Sequence, residues 1–135
     1  MKLYADEPGH GAVRSLEGLI VCSIARVEVP AALWRKERLG ELSVEDADVL
    51  VAAFEADYRG TVGEPPLFAA VAIGPMLLDE AAVLTATLAL RAYDAVQLAS
   101  AVVAREADPA CKQFACFDDE LRAAAAKSGF APVPA

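Results

Sequence analysis

The sequence has a single histidine, His10, and three cysteines, Cys22, Cys111 and Cys116, with no Cys-x-x-Cys pair among them. A His/Cys zinc site and a histidine-based catalytic triad therefore lack most of their parts. An odd, scattered set of cysteines reads as reduced thiols in a reducing compartment and excludes a disulfide frame. Cys22 and Cys116 lie in apolar runs, where cysteine behaves as a small hydrophobe. No apolar stretch is long enough to cross a bilayer and no charged-then-apolar leader opens the chain, so the expectation is a cytoplasmic protein with no membrane partner. Cations are also scarce: 12 Lys and Arg face 20 Asp and Glu, for a net charge of −8. That balance disfavours broad nucleic-acid binding, which relies on Lys and Arg to neutralise phosphates. It leaves room for a local basic groove, for which Arg35, Lys36 and Arg38 stand close together in sequence, and it suits a basic partner.

Apolar residues are plentiful, at 56% of 135 residues, with a mean hydropathy of +0.37. This excludes intrinsic disorder and suffices for one core. No linker, repeat or low-complexity block interrupts the chain, so residues 1–135 read as one domain. Four short continuous apolar runs read as strands: Leu19 to Cys22, Phe68 to Ile73, Phe114 to Phe117, and Phe130 to Val133. Continuous rather than alternating runs suit a parallel sheet covered on both faces. Helices are expected from Met1 to the Pro8-Gly9 break, from Gly11 towards Leu16, and from an N-cap at Ser23 to Arg38, with a bend at Pro30. Further helices are expected from Ser43 to about Tyr58, Asp79 to Thr87, Asp94 to Arg105, and Asp119 to Lys127. Strands alternating with helices define an α/β fold. The start is anomalous, because Met1-Lys-Leu-Tyr is already helix-like and no strand precedes it.

Three acidic positions stand out from the solvated remainder. Glu28 follows Ser23 in a helix whose apolar stripe reads Ile24, Val27, Ala31 and Trp34, and it borders the buried face, where an unpaired charge is costly. It is either an edge residue paired with Arg26 or Arg35, or a functional carboxylate. Asp94 heads an almost wholly apolar helix and is either its N-cap or a site residue. Asp118 and Asp119 directly follow the Phe114–Phe117 run; either can cap the next helix, yet Asp118 is the first residue past the strand, the edge at which open parallel sheets bind ligands. If the strands are parallel in one sheet, Glu28 and Asp118 emerge on the same edge. Carboxylates without histidine or thiolate make an oxygen-only set suited to Mg²⁺ or Mn²⁺. Such ions hold a phosphodiester and activate water.

The order and wording of these segments resemble the PIN-domain family, in particular VapC-type toxins of bacterial toxin–antitoxin pairs. Lys2-Leu-Tyr-Ala-Asp-Glu-Pro-Gly looks like the family's first helix and turn. Ser23-Ile-Ala-Arg-Val-Glu28-Val-Pro looks like the helix bearing its glutamate. Leu90-Arg-Ala-Tyr-Asp94-Ala-Val-Gln-Leu-Ala-Ser-Ala is the most specific stretch and carries the third acidic position. Phe114-Ala-Cys-Phe-Asp118-Asp-Glu-Leu looks like the fourth strand and the last acidic position. The resemblance implies a three-layer α/β/α domain and a Mg²⁺- or Mn²⁺-dependent endoribonuclease that cuts structured RNA. It also implies a homodimer silenced by a cognate VapB-type antitoxin. Carried over by position, Glu28, Asp94 and Asp118 surround the metal, Asp119 is the fallback if the register slips by one, and Arg91 and Ser23 are the candidates to contact substrate.

The family normally opens with a central strand ending in Asp-Thr-Ser or similar, then Ala-Leu-Val-Lys-Leu-Tyr; this chain begins where that Val would stand. Two origins are open: a GTG codon for that Val taken as a start, or a gene that lost its front. Outside these motifs, His10 reads as a surface turn residue, Trp34 as core or an interface anchor, and Arg91 as a partner of either phosphate or carboxylate. Sequencing the DNA upstream should reveal, for a misplaced start, an in-frame apolar strand ending in Asp-Thr or Asp-Ser. Without that strand the chain is expected to bind metal weakly and to cleave little or no RNA, and full activity of these 135 residues would contradict the assignment.

Overall fold

Each of the four apolar runs becomes a strand of three residues: β1 (Ile20–Cys22), β2 (Ala69–Val71), β3 (Gln113–Ala115) and β4 (Ala131–Val133). Five helices complete the order of elements among the described residues: α1 (Ala25–Arg38) and α2 (Val44–Arg59) between β1 and β2, α3 (Pro75–Leu88) and α4 (Ala92–Ala107) between β2 and β3, and α5 (Asp119–Lys127) before β4. The computed structural model describes residues 4, 11, 14–16 and 18–134, and the protein is of mixed α/β class. The helix expected from Met1, and His10, lie outside these residues. Within the Gly11–Leu16 segment, Gly11 and Arg14 are helical and the Ser15 N–H donates to the Gly11 carbonyl at 3.2 Å. Among the described residues no helix is long and apolar enough to cross a membrane.

The strands pair in twos, β1 with β2 and β3 with β4, which differs from the single sheet expected. The Ala69 N–H donates to the Leu19 carbonyl beside the first pair. The second pair is parallel, with Gln113 opposite Ala131, Phe114 opposite Pro132 and Ala115 opposite Val133. It is extended at both ends, by Ala131 N–H to Lys112 O and Cys116 N–H to Val133 O. Ala131 and Val133 thus face β3, and Pro132, which has no N–H, falls on the outer edge of β4. That edge is closed to regular pairing, so this sheet can extend only beyond β3.

The chain gathers into two compact units, residues 1–70 and 71–135. In the first, Ala25, Val29 and Leu33 are the buried residues of α1, spaced at i, i+4 and i+8. The stripe expected through Val27 and Ala31 is corrected: both are exposed, Val27 at 69%. The Ser23 cap is also corrected. Ile24 occupies the N-cap with backbone angles already helical, and the Ser23 carbonyl takes the first turn's bond from Arg26 N–H. Pro30 sits inside α1 without ending it, at the loss of the bond to the Arg26 carbonyl. Ser43 caps α2 as expected, its Oγ accepting from Asp46 N–H at 3.0 Å. At the other end of α2, Gly60 has φ +76°, and a Cβ there would lie 2.7 Å from the Glu64 carbonyl oxygen, so this turn requires glycine. The core centres on Phe54, whose ring meets Tyr4 edge-on at 5.7 Å, Tyr58 at 5.8 Å and Phe68 at 6.2 Å.

The second unit packs helices through small side chains. Leu77, Ala81 and Leu84 of α3 share a core with Ala95, Leu98 and Ala99 of α4, and with Leu121, Ala124 and Ala125 of α5. Helix α3 starts at Pro75, four residues before the expected Asp79, because proline at the first helical position needs no N–H partner. Helix α5 has the expected bounds. Arg105 of α4 donates to the Ser128 carbonyl at 2.8 Å and lies 4.1 Å over the Phe130 ring, fixing the turn into β4.

The Tyr4 hydroxyl donates to Asp57 Oδ2 at 2.7 Å. Burial, and then the Asp57 carboxylate, push this phenol well above its ordinary value. Tyr4→Phe should cost about 1 kcal/mol of stability at neutral pH. The folded protein keeps a proton that the unfolded chain releases near about pH 10, so this contribution is complete below that pH and declines above it. Urea melts at about pH 8 and about pH 11 should therefore show the gap between wild type and Tyr4→Phe narrowing at the higher pH, and an unchanged gap would contradict the assignment.

Candidate active site

Strand β3 ends at Ala115, and three residues later the chain turns at Asp118 into α5. Asp118 holds that turn. Its Oδ1 accepts from Leu121 N–H at 2.9 Å, satisfying one of the donors a helix start leaves open, and its own N–H donates to Cys116 Sγ at 3.3 Å. Asp118, not Asp119, is thus the N-cap; Asp119 is the first helical residue and is exposed. Asp118 Oδ2 remains available on the other side.

Asp94 is not the cap expected at the head of α4. Arg91, in extended geometry, takes the N-cap position without a side-chain bond, and Asp94 stands at the third helical position. A carboxylate there is still favoured by the positive end of the helix. Its side chain is 19% exposed and its Oδ2 lies 3.2 Å from Arg91 Nε. The same guanidinium places Nη2 3.7 Å from Asp118 Oδ2. Asp94 and Asp118, 24 positions apart, thus converge on one cationic group at the heads of two helices and past the end of a parallel strand.

The base of this corner is fixed by Arg122, one turn into α5. Its Nη1 donates to the Cys116 carbonyl at 2.8 Å and its Nη2 to the Pro134 carbonyl at 2.7 Å, tying the ends of β3 and β4 to the helix that Asp118 caps. Neither Arg122 nor Cys116 is identified as part of the corner by sequence alone. A lone arginine inside Leu121-Arg-Ala-Ala-Ala-Ala was the available signal, the one polar side chain in that apolar stretch. Burial pushes the Cys116 thiol up, and the Asp118 and Asp94 carboxylates add to the shift against backbone hydrogen bonds that oppose it. Cys116 is held as a neutral thiol, which argues against a nucleophilic role.

The remaining residues singled out lie in the first unit. Glu28 is exposed, on the first turn of α1. Arg26, one of its expected partners, lies 3.9 Å from Glu55 and over the Tyr58 ring. Ser23 is half-buried in the turn before α1. Among the described residues no three His, Cys, Asp or Glu side chains converge as a metal-binding group. A pair of aspartates is nonetheless a recognised donor set for Mg²⁺, which keeps several waters and takes further oxygens from a phosphate ligand. Asp94 and Asp118 are the residues that would contact such an ion, since both carboxylates reach a single positive group.

No family model matches the chain, and no curated protein matches it.

The two roles of Asp118 can be separated. Asp118→Ala should lower stability by about 1 kcal/mol through loss of the cap, and Asp118→Asn by no more than a few tenths, because asparagine caps as well as aspartate. Thermal unfolding of both variants checks this; equal losses would mean that the charge, not the cap, holds α5.

Proposed function

We propose that the protein is a PIN-like, VapC-type endoribonuclease that cleaves structured RNA with Mg²⁺ or Mn²⁺ in a three-layer α/β/α domain. The observation that carries this reading is the convergence of Asp94 and Asp118 on one cationic group. In this reading Asp94 and Asp118 hold the ion, Glu28 and Asp119 are further acidic positions contributed by resemblance, and Arg91 and Ser23 contact substrate. The ion supplies activation of water and neutralisation of charge at the phosphodiester. The chain's own residues provide the rest. Asp94 is oriented by its place in α4 and Asp118 by its cap bond, and Arg91, 72% exposed and paired with both carboxylates, would reach phosphate on leaving them. A VapB-type antitoxin and a homodimer are the partners this reading expects.

A second reading, favoured by the lack of a three-ligand group among the described residues, is a catalytically silent module that retains an antitoxin-binding surface. Mn²⁺-dependent cleavage of a structured RNA panel, by this chain and by a form extended upstream in frame, separates the two. Cleavage by the extended form that Asp94→Asn abolishes, with a drop of at least about a hundredfold, is the expected result. No cleavage by either form, with both binding the product of the neighbouring gene, would transfer the assignment to the binding module.

A further inference from the structure

Arg91 occupies the place that the proposed function reserves for a metal. Its Nε and Nη2 reach Oδ2 of Asp94 and Oδ2 of Asp118, so one planar guanidinium spans the carboxylate pair. Nothing else anchors it among the contacts observed: its side chain is 72% exposed, and its backbone sits at the N-cap in extended geometry, outside the helix that fixes Asp94. Asp94, by contrast, is 19% exposed and held at the third position of α4, and Asp118 is tied to Leu121 N–H. The carboxylates are tied to their helices, and the exposed cation between them is held by these two contacts among those observed.

We propose that Arg91 is an internal competitor for the divalent ion. It neutralises Asp94 and Asp118 when no ion is bound, and it must swing out for both oxygens to take an ion. The inference rests on the metal-site reading above. A divalent ion on the two Oδ2 atoms would stand beside the guanidinium, and repulsion between the two positive charges disfavours holding both at once. Once displaced, Arg91 stands beside the site as a free fork of N–H donors, the geometry that suits a phosphate. Ion binding and phosphate binding are thereby coupled: the ion releases the group that holds the phosphate, and a bound phosphate holds Arg91 away from the carboxylates. The coupling is reciprocal, so phosphate should tighten ion binding as much as the ion tightens phosphate.

The test is Mn²⁺ binding followed by the electron paramagnetic resonance of free Mn²⁺, with no RNA present, on the wild type, Arg91→Ala, Arg91→Lys and Asp94→Asn. Because Arg91 is exposed, its removal leaves the core intact, and circular dichroism verifies the fold of each variant. The expected result is binding about fivefold tighter in Arg91→Ala, the size of one well-placed exposed ion pair. Arg91→Lys should fall between, because a lysine cannot span both carboxylates, and Asp94→Asn should lose binding. Unchanged or weaker binding in Arg91→Ala, with Asp94→Asn still losing the ion, would overturn the competition alone. If no variant binds Mn²⁺, or if Asp94→Asn binds it as the wild type does, the metal site itself is overturned and the competition with it.

Discussion

Asp118 divides its two oxygens between tasks that would otherwise need separate residues. Oδ1 closes the first turn of α5 through Leu121 N–H, and Oδ2 faces Arg91. A carboxylate used in this way cannot rotate to follow a ligand without giving up its cap bond, a loss of about 1 kcal/mol. Its position is therefore as rigid as the junction of β3 and α5, which Arg122 secures from the opposite side by bonding to the ends of both strands. The corner is built from the start of one helix, the end of one strand and a buried-side clamp, so its geometry follows from backbone constraints more than from side-chain packing.

This matters because the sheet beneath is slight. Strands of three residues form few ladder bonds, and a two-stranded sheet alone is marginal in water. Stability in this unit has to come from the helices, and there the abundance of alanine has a structural use. Ala81, Ala95, Ala99, Ala124 and Ala125 are buried where α3, α4 and α5 share a core, with Leu77, Leu84, Leu98 and Leu121 filling the spaces left. Small residues let helices approach closely without side-chain ordering cost. Phe114 of β3 and Phe130 beside β4 lie 6.1 Å apart between centroids, which adds one aromatic contact to the pair.

What was legible in the sequence follows from these constraints. The four strands could be located because short apolar runs bounded by polar residues have few alternatives, and α5 because Asp118 and Gly129 mark its ends. The heads of α1 and α4 were misread for related reasons. At Ser23 and Asp94 the preference of small polar residues for the N-cap pointed one way, but the backbone turned helical at other positions. At α4 the Arg91–Asp94 pair spans the first turn, with the arginine at the cap and the acid inside. The stripe of α1 was misassigned because its apolar residues surround the helix. Ile24, Val27, Ala31 and Trp34 form as regular a series as Ala25, Val29 and Leu33, and only packing against Phe54 and Phe68 selects between them. The convergence of Asp94 with Asp118 depended on how a helix head meets a strand end, which no local pattern encodes.

RNA as the proposed substrate of an acidic chain would present an electrostatic conflict, which the charges at the corner would offset. With a net charge of −8, long-range attraction to a polyphosphate is unfavourable. Short-range contact is a different matter. The N-termini of α4 and α5 both carry partial positive charge at the place where Asp94 and Asp118 stand, and Arg91 adds a full one. Neutralised by a cation, whether guanidinium or metal, the two carboxylates cease to repel a phosphate, and the helix termini and Arg91 then favour it. Recognition would depend on a phosphate delivered at close range by the shape of a folded RNA, not on diffuse capture of any strand. Low affinity for unstructured RNA would accordingly follow from the charge distribution.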